Sequence, residues 1–153
     1  MLSTINDPAG DQGPDGPAYA DLRTIRLYSV GSQVRVTVAL GSALPARLPR
    51  DEVMGIGVDF FAGQTGESDY QLFAEGGPDG WYAYLQTPSG FVRYPGTFEL
   101  GAGGLVFTVP ASSLAALHDR RWSVFLDWSK SAAVTSSAAA DHAPDQGRVP
   151  TGT

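Results

Sequence analysis

Four aspartates in two short motifs are the residues best placed to do chemistry. The stretch Asp7 to Asp21, DPAGDQGPDGPAYAD, holds four Asp, three Gly and three Pro, too many chain-breakers for a helix and too many turn-formers for a sheet interior. It is an ordered loop or none at all. Asp7 and Asp11 stand four apart around Pro8 and Gly10, so a tight turn points both carboxylates inward, and two converging anions need a cation to offset their repulsion. Calcium suits such a loop, because it takes roughly six to eight oxygens at about 2.3–2.6 Å and accepts backbone carbonyls as readily as carboxylates. The late motif DHAPDQG, Asp141 to Gly147, repeats the same Asp, Pro and Gly grammar. If the first and last strands of a sandwich lie side by side, the two motifs converge and bring Asp7, Asp11, Asp141 and Asp145 into one calcium site. The plainer alternative is a solvated acidic lead-in.

A second group of residues has the chemistry of a sugar platform. The apolar face of a pyranose stacks on an aromatic ring while its hydroxyls reach polar neighbours. Tyr82 and Tyr84 are two apart and share a strand face, with Arg93 and Tyr94 just beyond, so Tyr82, Tyr84, Arg93 and Tyr94 are expected to form one exposed patch. Trp81 points the other way with Ala83 and Leu85, into the core. Aromatics in strands also commonly cover a sheet edge or pack under a loop, which is the competing reading.

Signals for catalysis are weaker. Asp59, Asp69, Glu75 and Asp127 supply carboxylates, but any acidic sandwich offers pairs at glycosidase spacing by chance. No Ser sits in a nucleophile-elbow motif, the two His lack HExxH spacing, and no glycine-rich phosphate loop follows a strand. Asp59, alternating with Gly57 and Phe61, reads as a turn-fixing group or a structural-ion ligand.

The elements that must position these groups are strands. Leu22 to Val30 and Gln33 to Leu40 form a hairpin about Gly31 and Ser32, the second strand alternating Val34, Val36, Val38 and Leu40 with outward residues. In the first, Leu22 and Tyr28 are expected on one side, Ile25 and Leu27 on the other. Ser42 to Asp51, with two Pro, is a crossing loop. Further strands follow at Val53 to Ala62, Asp69 to Glu75, Trp81 to Gln86, Phe91 to Tyr94, Thr97 to Leu100, Gly104 to Val109 and Trp122 to Trp128, separated by Gly/Pro turns. That rhythm predicts an all-β sandwich of about nine antiparallel strands. Ser112 to His118, with Leu114 and Leu117 three apart, predicts one short helix. Ser129 to Ala140, almost entirely Ser, Ala and Thr, is expected to be a flexible loop.

Composition bounds the rest. At 153 residues the chain makes one domain, residues 1–153, large enough to bury a core without a staple. It has no cysteine, which removes disulfides and thiolate zinc sites. Sixteen acidic residues against ten basic ones leave a net charge of −6, the wrong sign for nucleic acid, whose phosphates require a basic stripe. No apolar run approaches the roughly 20 residues of a membrane span, and no basic-then-apolar leader follows Met1. The first motif begins so soon after Met1 that the chain reads as a domain cut from a longer protein, or a mature protein restarted with Met.

Taken together, the opening DPAGDQGPDGPAYAD, the segment VDFFAGQTGESDYQLF at Val58 to Phe73, LVFTVPASSL at Leu105 to Leu114 and the late DHAPDQG resemble the DOMON-like β-sandwich modules of bacterial extracellular enzymes. The similarity is nearest to the C-terminal module of glucodextranase-type proteins and spans nearly the whole chain. It implies a jelly-roll-like, non-catalytic accessory module on a secreted or cell-surface protein, with calcium near the termini. It also implies polysaccharide or cell-wall glycan as ligand and a parent catalytic domain or surface subunit as partner. A structural or protein-interaction module without sugar is the alternative. Some DOMON relatives hold haem between Met and His, for which this chain offers Met54, His118 and His142.

Overall fold

The computed structural model describes residues 1–64, 66–114, 117, 120–131 and 136–152. Two antiparallel sheets pack face to face as an all-β sandwich. The strands are β1 (Ser3–Asn6), β2 (Leu22–Val30), β3 (Gln33–Leu40), β4 (Glu52–Phe61), β5 (Tyr70–Gly77), β6 (Gly80–Thr87), β7 (Gly90–Arg93), β8 (Thr97–Gly101), β9 (Gly104–Pro110), β10 (Arg121–Ser131), β11 (Ser136–Ala143) and β12 (Val149–Pro150). One sheet runs β1-β2-β3-β9-β8, the other β11-β10-β4-β5-β6-β7, with β12 pairing β10.

Period-two alternation decides which face each strand buries. Met54, Ile56, Val58 and Phe60 of β4 meet Trp122, Val124, Leu126 and Trp128 of β10, and these oppose Val34, Val36 and Val38 of β3 and Leu105, Phe107 and Val109 of β9. The hairpin expected at Gly31 and Ser32 is present: Val30 pairs Gln33, and Gly31 takes φ +59°. Trp81 turns inward, tilts against Phe98 and donates its Nε1–H to the Pro45 carbonyl at 2.9 Å.

Four expectations change. In β2 a register shift between Leu22 and Thr24 turns Leu22 inward with Ile25 and Leu27, where strict alternation would have put it beside Tyr28. The nine expected strands are joined by β1, β11 and β12, whose short or small-residue sequences carry little hydrophobic period. The Ser/Ala/Thr tract is not a loop over its described length: β10 continues to Ser131, and β11 pairs with it from Ser136 onward. Small side chains there serve packing, since a Cβ on Gly16 would stand 2.7 Å from the Ala139 Cβ. The opening loop therefore sits directly on β11. Where one helix was expected, the described part is a 3-10 turn, Ala111–Ser113, followed by buried Leu114. Ala115, Ala116 and His118 lie outside the described residues. A second 3-10 turn, Ala18–Ala20, ends the acidic loop. No helix among the described residues is long and apolar enough to cross a membrane.

Candidate functional site

The acidic loop is held at one edge of the sandwich, where β2 of one sheet meets β11 of the other. Tyr19, in the 3-10 turn, donates its hydroxyl to Glu52, and the same carboxylate oxygen accepts the Trp128 Nε1–H at 3.0 Å. Glu52 is buried, so the pair of donors supplies what water cannot. Burial, then the adjacent Glu52 carboxylate, pushes the Tyr19 phenol well above its ordinary range. Inside the loop, Gly10 at φ +81° gives its N–H to Asp21 at 3.1 Å, and Arg23 pairs with the other Asp21 oxygen at 2.6 Å. These bonds fold the stretch back on itself and turn its carboxylates toward β11.

The two Asp motifs meet there. Carboxylate oxygens of Asp7, Asp11 and Asp145 lie within 4.8 Å of one another, and so do those of Asp11, Asp21 and Asp141. All four residues expected from the sequence are thus brought together. Asp21 is an addition, legible only as the last residue of the first motif. The carboxylates are not equivalent. Each oxygen of Asp141 already accepts a backbone N–H, from Leu22 at 2.6 Å and from His142 at 2.8 Å. Both oxygens of Asp7 are buried and have no hydrogen-bond donor among the described residues. Desolvation, then the charges of Asp141, Asp11 and Asp145, pushes the Asp7 carboxyl up to about 8. Burial likewise raises Asp141, against the pull of its Leu22 N–H bond. Acceptor-only oxygens buried against further carboxylates satisfy one another only by sharing a proton or a cation. The donor set is all oxygen, the ligand type that calcium takes.

A second feature lies on the outer face of the seven-stranded sheet. In register across five strands stand Phe125 (β10), Gly57 (β4), Phe73 (β5), Tyr84 (β6) and Arg93 (β7), with His142 of β11 beside Phe125. Gly55 and Gly57 make this row possible. A Cβ on Gly57 would come 2.1 Å from the Phe125 ring, and one on Gly55 would come 2.9 Å from the Phe73 ring. Both rings therefore reach over β4, with centroids 6.1 Å apart and planes inclined by 28°. Tyr82 is 56 % exposed, Tyr84 39 % and Phe91 71 %, so the band continues to the sheet edge. Gln71, Phe73, Glu75, Tyr84 and Phe91 line a shallow depression of about 410 Å³. Polar groups border it: Asp59 accepts from the Gln71 amide at 2.8 Å, and burial raises its pKa.

Three of the four residues expected to form a sugar patch, Tyr82, Tyr84 and Arg93, share this face. Tyr94 does not. The next residue in the alternation, it turns toward the other sheet, tilts against Phe107 and donates its hydroxyl to the Thr108 carbonyl at 3.3 Å. Phe73, Phe91 and Phe125 were missed, although the two outward-facing glycines of β4 marked a surface on which rings could lie flat. Among the carboxylates considered for acid–base work, Asp69 pairs with Arg120 at 2.5 Å, while Glu75 and Asp127 are exposed. Met54 is buried between the sheets and His142 is exposed on the outer face, so those two cannot grip one haem. His142 Nδ1–H donates to the Pro144 carbonyl at 2.7 Å. No family model, curated protein or solved structure matches this chain.

Proposed function

We propose that this chain is a non-catalytic glycan-binding module, calcium-stabilised and carried by or partnered with a secreted or cell-surface protein. The observation that carries it is the stacked Phe73–Phe125 pair, extended by Tyr84 along an open sheet face. Aromatic rings in line offer contact area to successive sugars, and bordering Gln71, Glu75, Asp127 and Arg93 offer hydrogen-bond partners to hydroxyls. Calcium would be held by Asp7, Asp11 and Asp145, with Asp141 and Asp21 backing them. Its work would be to neutralise buried carboxylates and tie the opening loop to β11. The DOMON-like resemblance supports the same reading.

Affinity electrophoresis through gels containing soluble polysaccharides, together with a glycan array, tests it. Wild type is expected to be retarded by at least one polysaccharide, and the exposed-residue variant Tyr82→Ala/Tyr84→Ala to run freely at a nearly unchanged melting temperature. Retention of neither protein on any glycan, or equal retention of both, overturns the sugar reading. A second reading, a protein-interaction module, is favoured by β7. This edge strand is exposed along its whole length, Phe91 and Val92 included, and an exposed strand edge is a template on which another chain can pair.

A further inference from the structure

Among the described residues the two sheets end in β1, β8, β11 and β7, and the first three edges are blunted. β11 lies under the opening loop, where a Cβ on Gly16 would meet Ala139. β1 is flanked by the end of the chain: Ser3 Oγ donates to the Pro150 carbonyl at 2.9 Å, and a Cβ on Gly152 would stand 2.2 Å from the Leu2 carbonyl oxygen. β8 carries exposed Glu99 at its centre. β7 has no acid, proline or bulge, and among the described residues it pairs only with β6.

The hairpin fixes which backbone groups of β7 are free. Pro88 and Ser89 form a two-residue turn, so Thr87 and Gly90 close it as a hydrogen-bonded pair. Bonded and non-bonded pairs alternate along an antiparallel ladder. Gly90 and Val92 therefore spend their N–H and C=O groups on β6, while Phe91 and Arg93 turn theirs outward, where no other backbone group among the described residues takes them up. Side chains follow the same register. Phe91 and Arg93 share the outer face with Gln86 and Tyr84, whereas Val92 lies with Leu85 on the inner face and is still 43 % exposed. Val92 thus marks a place that the five-stranded sheet leaves uncovered.

We infer, on the reading of β7 as an interaction edge, that its partner is β7 of a second copy, paired antiparallel across a two-fold axis at Val92. Such an axis, perpendicular to the sheets, keeps outer faces together and limits the registers to those centred on a residue. Centring on Gly90 or Phe91 sets an outward-turned residue opposite Ser89 in the turn. Centring on Arg93 opposes two like charges and places Phe91 across from Pro95. Centring on Val92 pairs Phe91 with Arg93 of the second copy and the reverse, each pair exchanging two backbone hydrogen bonds. It also lays each guanidinium beside a phenyl ring. The two Val92 side chains then meet in a non-bonded pair, where Cα atoms approach to about 4.5 Å. This self-complementarity favours a second copy over an unrelated strand, and it joins the aromatic rows of both copies on one continuous face. So short a strand makes a small interface, with a dissociation constant on the order of 10–100 µM.

Analytical ultracentrifugation of the whole chain, from micromolar to near-millimolar concentration, is expected to show a monomer–dimer equilibrium. Phe91→Pro removes an outward N–H that β6 does not use, and Val92→Lys opposes two charges on the axis. Each should weaken the dimer about tenfold or more at a nearly unchanged melting temperature. The chain has no native cysteine, so single cysteines report the register. Val92→Cys should oxidise to a disulfide dimer much faster than Phe91→Cys, whose Cα atoms would stand beyond the roughly 7 Å limit for bridging. A dimer that persists in both edge variants, or equal cross-linking of the two cysteines, overturns the pairing. A protein that stays monomeric but binds a labelled peptide of alternating Val and Thr, with the binding lost in Phe91→Pro, overturns the second copy as partner and leaves the interaction edge standing. A monomer that binds no such peptide overturns both.

Discussion

The Asp141 carboxylate accepts the backbone N–H of Leu22 at 2.6 Å, joining residues 119 positions apart. Through this bond the last long strand of one sheet holds the second strand of the other, and it brings Asp141 against Asp7. The same geometry that closes the sandwich edge thus collects negative charge in a buried place. Three experiments test what that charge, and the ring pair on the neighbouring face, do.

Calcium is expected to raise the melting temperature and a chelator to lower it. A ligand at a hundred times its dissociation constant stabilises the folded state by about 2.7 kcal/mol, which for a chain of this length is a shift of roughly 5–10 °C. Magnesium should restore little, since it demands a smaller octahedral shell and dehydrates reluctantly. Asp11→Ala should remove the response. Asp7→Asn should also remove it, yet melt higher than wild type in chelator near neutral pH, because it deletes a carboxyl that must take up a proton to be buried among other carboxylates. Coincident melting curves with calcium and with chelator would discard the site.

The pH dependence of stability should change sign with the metal. The Asp7 carboxyl titrates near 3.8 when unfolded and is raised to about 8 when folded without metal, so between those values the folded state holds a proton that the unfolded state has released. Its contribution is complete below about pH 4 and fades as pH rises through about 8. Asp141 is raised by burial as well and acts in the same sense. Calcium, if bound as proposed, takes the place of that proton. In saturating calcium, stability should be held at neutral pH and be lost on acidification, as protons displace the ion. Urea midpoints measured across this range, in chelator and in calcium, check both slopes. Parallel slopes in the two series would contradict the model.

Gly57→Ala should disrupt the aromatic face more than the fold. The new methyl would overlap the Phe125 ring, which stands half-buried on the outer face and can tip into solvent. A stability loss of about 1–3 kcal/mol is expected, with loss of polysaccharide retention and an altered near-UV spectrum. Gly63→Ala is the control, since nothing lies within 4 Å of a Cβ built there. Equal behaviour of the two variants would show that the rings need not lie flat.

Alternation of apolar residues was enough to define the sandwich. Val34 to Leu40, Ile56 to Phe60, Leu105 to Val109 and Trp122 to Trp128 each bury the face their period demands, because a strand's side chains have only two directions to take. The turn at Gly31 and the crossing loop through Pro45 and Pro49 were legible for a similar reason: each depends on the backbone preferences of a few adjacent residues. The recurrence of Asp, Pro and Gly in two motifs also pointed to one acidic cluster, on the strength of their chemistry and a guess about neighbouring termini.

Tertiary structure alone decided the rest. That Ala139 and its small neighbours form a strand depends on β10 supplying hydrogen bonds and on Gly16 packing above, neither of which leaves a local trace. Leu22 faces inward because of a register shift, and one extra residue reverses every later side chain until pairing recovers. Tyr94 left the expected patch because Phe107 and the Thr108 carbonyl, on another strand, gave it a partner. Phe73 and Phe125 came together only when register set both beside Gly57. Contacts between strands distant in sequence are fixed by pairing order and packing, and no single segment's composition records them.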